Sequence, residues 1–137
     1  MPTIETFLVE GGSDSAKQRL ISALTSAVVT AINAPAESVR VILTEVPAGN
    51  FGVGGQTAAA LPHQAHALIQ AFLIAGRSKQ QKVQLIAALT DAAVGAIDVA
   101  AETVRVIIKD VPNTDFGLGG QTAAALGRGI GRAAMQE

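Results

Sequence analysis

The chain has no cysteine, tryptophan or tyrosine, and its only aromatic residues are four phenylalanines. Without cysteine it can form neither a disulfide nor a thiolate nucleophile. The net charge is -1 at pH 7, and the sequence has no basic stripe and no set of aromatic residues for stacking bases. We therefore expect neither nucleic acid nor an anionic membrane surface as a partner. No apolar run is long enough to span a membrane and no secretory leader is recognisable, so we expect a cytoplasmic protein.

Charged residues are also scarce. They make up 15% of the 137 residues, whereas 49% are hydrophobic. A monomer of this size with so few charges has too little polar surface to cover its apolar groups. The composition therefore predicts a homo-oligomer that buries the excess.

The chain contains two copies of one unit. When residues 3–60 are aligned with residues 68–125, a shift of 65 positions, more than half of the pairs are identical. Such self-similarity indicates a tandem repeat. The predicted organisation is a first repeat over residues 1–60, a linker over 61–67 and a second repeat over 68–127. A tail over residues 128–137 has no predicted function.

Each copy carries the same order of local signals. A β-type run, residues 3–9 or 68–74, is followed by a glycine turn and a helix-capping serine, Ser13 or Ser78. Apolar residues then recur at three- and four-residue steps, which predicts an amphipathic helix. They are Leu20, Ile21, Leu24, Val28 and Ile32 in the first copy and Leu85, Ile86, Leu89, Ala93 and Ile97 in the second.

A β-branched run follows each predicted helix, at residues 39–43 and 104–108, and predicts a second strand. Strand, helix and strand make a β-α-β unit with parallel strands. Two units predict an α/β (α+β) fold, in which a four-stranded sheet carries both helices on one face and needs a partner on the other. The glycine-rich segments 51–57 and 116–122 predict a short hairpin or an edge arm.

Several candidate sites are weak. The glycine-rich segments lack the Walker lysine and the dinucleotide spacing, so nucleotide binding is not expected. His63 and His66 are three residues apart, but they lie in a proline-containing linker with no third ligand nearby, which favours a solvated linker over a metal site. Lys17 and Lys82 lie near helix starts, where the helix dipole favours anions, and we expect both to be solvated.

Three arginines and one proline are less ordinary. Arg40 and Arg105 lie between valines in strands, where a guanidinium is costly to bury unless it meets a carboxylate or lies at an interface. Arg77 has a glycine as its repeat partner. Pro2 would become a free secondary amine if the initiator methionine were removed, and a dry, cationic pocket would lower its pKa below the value of about 8 of an ordinary α-amine.

Together these motifs resemble the 4-oxalocrotonate tautomerase family. The first copy carries the pattern in Pro2, Glu10-Gly11 and the segments 38–42 and 50–55, and the second copy repeats it in the segments 75–78, 103–106 and 115–120. The resemblance covers both copies nearly end to end. It implies a fused, double-length member that assembles as a trimer equivalent to a hexamer of short subunits, with a role in aromatic compound degradation.

The resemblance also implies the site residues. The family uses an amino-terminal catalytic proline, a loop arginine, a strand arginine and a phenylalanine before the hairpin. Here Pro2 matches the proline, and Gly12 or Arg77 stands at the position of the loop arginine. Arg40 or Arg105 matches the strand arginine, and Phe51 or Phe116 matches the phenylalanine.

Neither copy is complete alone. The first has Pro2 but Gly12 in place of the arginine, and the second has Arg77 but Ala67 in place of the proline. The resemblance therefore implies one site per chain and three per trimer. Each site would combine Pro2, Arg77 and Phe116 with a strand arginine from a neighbouring chain, and the sequence does not decide between Arg40 and Arg105.

The implied activity is a tautomerase without metal or organic cofactor. Pro2 would act as the general base that converts a 2-hydroxydienoate enol into the conjugated 2-oxo acid, with arginines holding carboxylates. Two alternatives remain open. A related dehalogenase or hydratase would need a carboxylate to activate water, and Val53 and Leu118 occupy those hairpin positions. A non-catalytic oligomeric protein with a blocked proline or a decayed pocket would keep only the fold.

Overall fold

The computed structural model of the chain describes residues 2–61 and 66–129. Within these residues the first copy forms strand β1, helix α1 and three further strands, with bounds Thr3–Val9 (β1), Asp14–Ile32 (α1), Arg40–Val46 (β2), Gly52–Val53 (β3) and Gln56–Thr57 (β4). The second copy repeats this order as Ala67–Ile74 (β5), Lys79–Ile97 (α2), Val104–Val111 (β6), Gly117–Leu118 (β7) and Gln121–Thr122 (β8). Short 3-10 turns lie at Ala36–Ser38, Ala48–Asn50, Ala58–Ala60 and Ala101–Thr103.

Four strands form one sheet in the order β2-β1-β5-β6. Within each copy the two strands are parallel, as the β-α-β pattern predicts. Between the copies β1 and β5 pair antiparallel, with Thr3 opposite Phe72 and Leu8 opposite Ala67. The copies are therefore related by a two-fold rotation, and the start of one copy lies beside the end of the other copy's first strand.

Both helices begin at the predicted serine caps. The Ser13 hydroxyl accepts a hydrogen bond from the amide of Ala16 at 3.1 Å. Ser78 and Gln81 form a reciprocal capping box, which satisfies two amides that the helix leaves without partners. Each turn before a cap needs a glycine, because φ is +126° at Gly11 and +124° at Gly76.

The core lies between the sheet and the two helices. Its members alternate along the strands, such as Ile4 and Leu8 in β1 and Ile69 and Leu73 in β5, and recur every three or four residues in the helices. The opposite side of the sheet, called here the helix-free face, carries the intervening residues. Its apolar members include Phe7, Ile42, Leu68, Phe72 and Ile107. Ile42 and Ile107 are about half exposed, at 51% and 46%.

The predicted fold is confirmed, including the four-stranded sheet, the helices on one face and the hairpins β3-β4 and β7-β8. Two details differ. Strand β5 begins at Ala67, which the repeat boundaries placed in the linker, because this residue pairs with both Leu8 and Val104. Ile21 and Ile86 of the predicted helix stripe are exposed, because they lie at the margin of the face that packs on the sheet. Neither described helix has the length and apolar character that crossing a membrane requires.

Candidate active site

The antiparallel pairing of β1 and β5 gives the sheet two similar ends. At the first end, Pro2 is buried directly before β1, and its carbonyl accepts a hydrogen bond from the Arg40 amide at 2.9 Å. Because Thr3 lies opposite Phe72, the carboxyl end of β5 and the loop that follows it reach the same end. That loop carries Arg77. We call this the Pro2 end of the sheet.

Arg77 is half-buried, and its guanidinium is held by helix α1. One terminal nitrogen, Nη1, donates to the carbonyl of Ile32 at 2.6 Å. Ile32 is the last residue of α1, and carbonyls in the last turn of a helix have no partner within the helix. The contact thus satisfies a backbone acceptor and orients a cation at a helix end where the dipole favours it.

Arg40 and Phe116 also lie at the Pro2 end. A cavity of about 320 Å³ is lined by Thr3, Arg40, Phe116 and hairpin residue Leu118, with Glu37 and Ser38 beside them. A neighbouring cavity of about 340 Å³ lies between Thr3, Phe72 and Phe116. The Arg40 side chain is exposed and donates to the Glu37 carbonyl at 3.2 Å. Thr3, the residue after Pro2, and Phe116 therefore line both cavities.

The remaining predicted site residues, Phe51 and Arg105, lie at the other end of the sheet, called here the Ala67 end. They line one cavity of about 380 Å³ together with Ala67 and Leu68. Arg105 is exposed and donates to the Glu102 carbonyl at 2.8 Å, as Arg40 does to Glu37. Within one chain, Arg40 is thus the strand arginine at the Pro2 end, and Arg105 belongs to the opposite end.

His66 is not in a solvated linker, as the sequence led us to expect. Its side chain is only 8% exposed, and its ring stacks on Phe51 with 5.8 Å between centroids and 23° between planes. The Nε2 atom is buried and has no hydrogen-bond partner in the described part of the chain. His66 directly precedes β5, and this position next to a strand was the available signal for its burial. His63, Met1 and most of the tail lie outside the described residues.

The expectation for Lys17 and Lys82 was also wrong, because each bridges a helix to a strand. Lys17 Nζ lies 2.6 Å from Glu45 Oε1 and Lys82 Nζ lies 2.5 Å from Asp110 Oδ2. The hydrogen bond from Lys17 lowers the pKa of Glu45 below its ordinary value, and the amides of Gly11 and Gly12 lower it further. The same hydrogen bond raises the pKa of Lys17. A lysine one helical turn inside its cap can reach the neighbouring strand, so both side chains are only partly solvated.

No cluster of three or more His, Asp or Glu side chains able to hold a metal ion occurs among residues 2–61 and 66–129. The titratable side chains that line the two cavities at the Pro2 end are Arg40, Glu5, Glu37 and Asp115. Arg77 and the Lys82–Asp110 ion pair lie at the same end of the sheet. This end can hold an anionic organic molecule beside a buried proline.

The comparisons with known proteins agree with the repeat and the fold. The family described as "Tautomerase enzyme" matches twice, over residues 2–60 and 68–125. A 2-hydroxymuconate tautomerase of Pseudomonas putida is 43% identical over 61 residues, which are 44% of this chain and 97% of that protein. The crystal structure of a native fused 4-OT is 52% identical with a TM-score of 0.88, and it covers 92% of this chain and 99% of that chain. Another, described as an R7 fused 4-OT wild type asymmetric trimer, is 54% identical with a TM-score of 0.85 at the same coverage.

Proposed function

The chain belongs to the tautomerase family as a fused, double-length member, and from that premise we propose that it converts 2-hydroxydienoate enols into conjugated 2-oxo acids with Pro2 as the general base. The observation that carries the proposal is the asymmetry of the sheet ends. One end combines Pro2 with Arg77, whereas the other has Ala67 and Gly12 at the equivalent positions. Only the first end therefore offers both a base and a loop cation.

The base is the secondary amine that Pro2 acquires when Met1 is removed. As a neutral amine it takes the proton from the 2-hydroxyl of the enol and returns it to a carbon of the conjugated system. The hydroxyl oxygen becomes the carbonyl, and the amine is regenerated. The reaction needs no oxidant and no co-substrate, since only a proton changes place.

The arginines supply binding and charge stabilisation. Arg77, oriented by the Ile32 carbonyl, binds the distal carboxylate of the substrate. Arg40, in the cavity beside Phe116, binds the carboxylate and the oxygen at the reacting end, where negative charge develops. Phe116 limits the access of water to the amine. If a neighbouring chain supplies the strand arginine instead, Arg105 takes the place of Arg40.

The functional unit in this proposal is a homotrimer. A solved relative that matches this chain over nearly its whole length is described as a trimer, and the helix-free face offers apolar side chains that a neighbouring chain would cover. A small unsaturated 2-hydroxy or 2-oxo carboxylate, mono- or dicarboxylic, is the substrate class that suits Arg40 and Arg77 at one end of the sheet, next to the apolar side chains of Phe116 and Leu118.

The test is the ketonisation of 2-hydroxymuconate followed by ultraviolet absorbance, with protein whose intact mass proves that Met1 is absent. Pro2→Ala should lower kcat/KM by roughly 10²- to 10⁴-fold, the usual contribution of a general base. Arg77→Ala should lower it by at least about tenfold, since a hydrogen bond to a charged group is lost. Arg40→Ala and Arg105→Ala, compared side by side, identify the strand arginine.

Lys17→Ala is the matched control, because it removes a cation from the Ala67 end and should change ketonisation little. Full activity of Pro2→Ala would refute the proposed base, and full activity of Arg77→Ala would refute the site that combines the two copies. Correctly trimmed protein without activity would leave a non-catalytic member of the fold.

A further inference from the structure

The Ala67 end contains a buried polar atom that the proposed reaction does not use. His66 is more than nine-tenths buried, and its Nε2 has no hydrogen-bond partner among residues 2–61 and 66–129. Leaving such a nitrogen without a partner destabilises the fold, so buried polar groups of this kind usually have one. His66 also lines two cavities. A ligand bound in either cavity would therefore lie against the His66 ring.

One of the two cavities lies next to Gly12, the position that corresponds to Arg77 in the other copy. At the Pro2 end, Arg77 contacts the carbonyl of Ile32, and Ile32 is 1% exposed. At the Ala67 end the equivalent residues are Gly12 and Ile97. Both line an open space of about 310 Å³ next to His66, and Ile97 is only half-buried. The absence of an arginine side chain at position 12 accounts for this opening.

The second cavity, of about 380 Å³, supplies a cation and an aromatic surface. His66 shares it with Phe51, Ala67 and Arg105. Arg105 uses one nitrogen for the Glu102 carbonyl and keeps other donors for a ligand. Cavities of this size, mostly apolar with a few polar groups, are typical of sites for small organic molecules.

We propose that the Ala67 end is a second binding site, for a small unsaturated or aromatic monocarboxylate. His66 Nε2–H donates to one oxygen of the carboxylate, Arg105 donates to the other, and the planar body of the ligand packs against Phe51. The site suits a single carboxylate, because Arg105 is the only lysine or arginine among the described residues that line these two cavities. Ala67 provides no amine, so the ligand is bound and not converted. This proposal assigns Arg105 to the Ala67 end, and it therefore requires that Arg40 serves the Pro2 site.

The chain offers a direct test because it has only two histidines. In a His63→Gln variant of the full chain labelled with ¹⁵N-histidine, the imidazole resonances belong to His66 alone. Titration with trans-cinnamate should shift the Nε2 resonance until it saturates. Cinnamyl alcohol, which has the same planar body without the carboxylate, should bind at least about tenfold more weakly.

Two variants locate the effect. Arg105→Gln should weaken the cinnamate response roughly ten- to a hundredfold, whereas Arg77→Ala should leave it unchanged, since Arg77 lies at the opposite end of the sheet. An Nε2 resonance that does not move at saturating cinnamate would overturn the proposal. It would equally be overturned by equal affinities for cinnamate and its alcohol, or by a response that disappears in Arg77→Ala. Ketonisation of 2-hydroxymuconate by the same samples reports on Pro2 independently.

Discussion

At the scale of single residues, the two copies place different side chains in equivalent surroundings. Thr6 and its repeat partner Ala71 are both completely buried in neighbouring strands of the sheet. The methyl group of Thr6 suits this position, but its hydroxyl is buried without a hydrogen-bond partner in the described part of the chain. A buried polar atom of this kind destabilises the folded chain.

Thr6→Val should therefore stabilise the protein, by about 1 kcal/mol, because a methyl group replaces the unpaired hydroxyl at nearly the same volume. The measurement is the free energy of unfolding in urea at fixed protein concentration. Thr6→Ser is the control, since it keeps the hydroxyl, loses the methyl group and should destabilise. A less stable Thr6→Val would mean that the hydroxyl has a partner in solution.

Residue identity alone predicted some of these environments and not others. The caps Ser13 and Ser78 could be assigned because a cap depends on three neighbouring residues in the sequence. The burial of His66 depends on Phe51, fifteen positions earlier, which reaches the ring only after the sheet has formed. The nearby proline and the second histidine of the linker gave the opposite local signal.

At the scale of elements, each helix is tied to the second strand of its own copy by one ion pair. In the first copy Lys17 of α1 meets Glu45 of β2, and in the second Lys82 of α2 meets Asp110 of β6. The shift in the pKa of Glu45 makes the first link depend on pH. Because the folded-state pKa of Glu45 lies below the ordinary value of 4.5, the pair stabilises the fold above that value. The contribution is lost as the pH falls through the folded-state pKa.

Glu45→Gln should reduce the acid dependence of stability. The wild type should lose stability faster than the variant as the pH falls from neutral to below 4.5, and the two should converge once Glu45 is protonated. Urea midpoints across this range provide the measurement. Asp14→Asn is the matched control, since Asp14 is exposed and lies 3.9 Å from the same lysine, and its effect should be smaller. Parallel pH curves for wild type and Glu45→Gln would contradict the assignment.

The elements were the most predictable level of this structure. Both strands, the helix and the hairpin of each copy follow from periodicity and glycine positions, because those patterns lie within one unit. The pairing of β1 with β5, and hence the sharing of one sheet end by Pro2 and Arg77, lies between the units. Resemblance to the tautomerase family implied that sharing, whereas periodicity alone does not decide which strands of two units meet.

At the scale of the whole molecule, the two faces of the sheet differ. The helices cover one face, and the helix-free face leaves Ile42 and Ile107 about half exposed. Fully burying such a side chain contributes about 2 kcal/mol, and the proposed trimer would use this face for contact between chains. The exposed Ile21 and Ile86 lie on the helices instead.

Ile107→Asp should therefore shift the protein from trimer towards monomer, because a neighbouring chain would have to bury an unpaired carboxylate. Light scattering after size-exclusion chromatography measures the mass. Ile86→Asp is the matched control, as it introduces the same charge at a similarly exposed isoleucine, 42% against 46%, away from the helix-free face. A trimer that survives Ile107→Asp but dissociates in Ile86→Asp would place the interface on the helices.

The antiparallel contact between β1 and β5 has a consequence for how the two ends of the sheet can diverge. In a pair of identical short chains, every substitution appears twice, once at each end, and a change that helps one pocket also alters the other. In the fused chain each substitution appears once. Equivalent positions can therefore carry different residues in the two copies, such as Gly12 with Arg77 and Pro2 with Ala67. The covalent connection also keeps the two pockets at a ratio of one to one, however dilute the protein becomes.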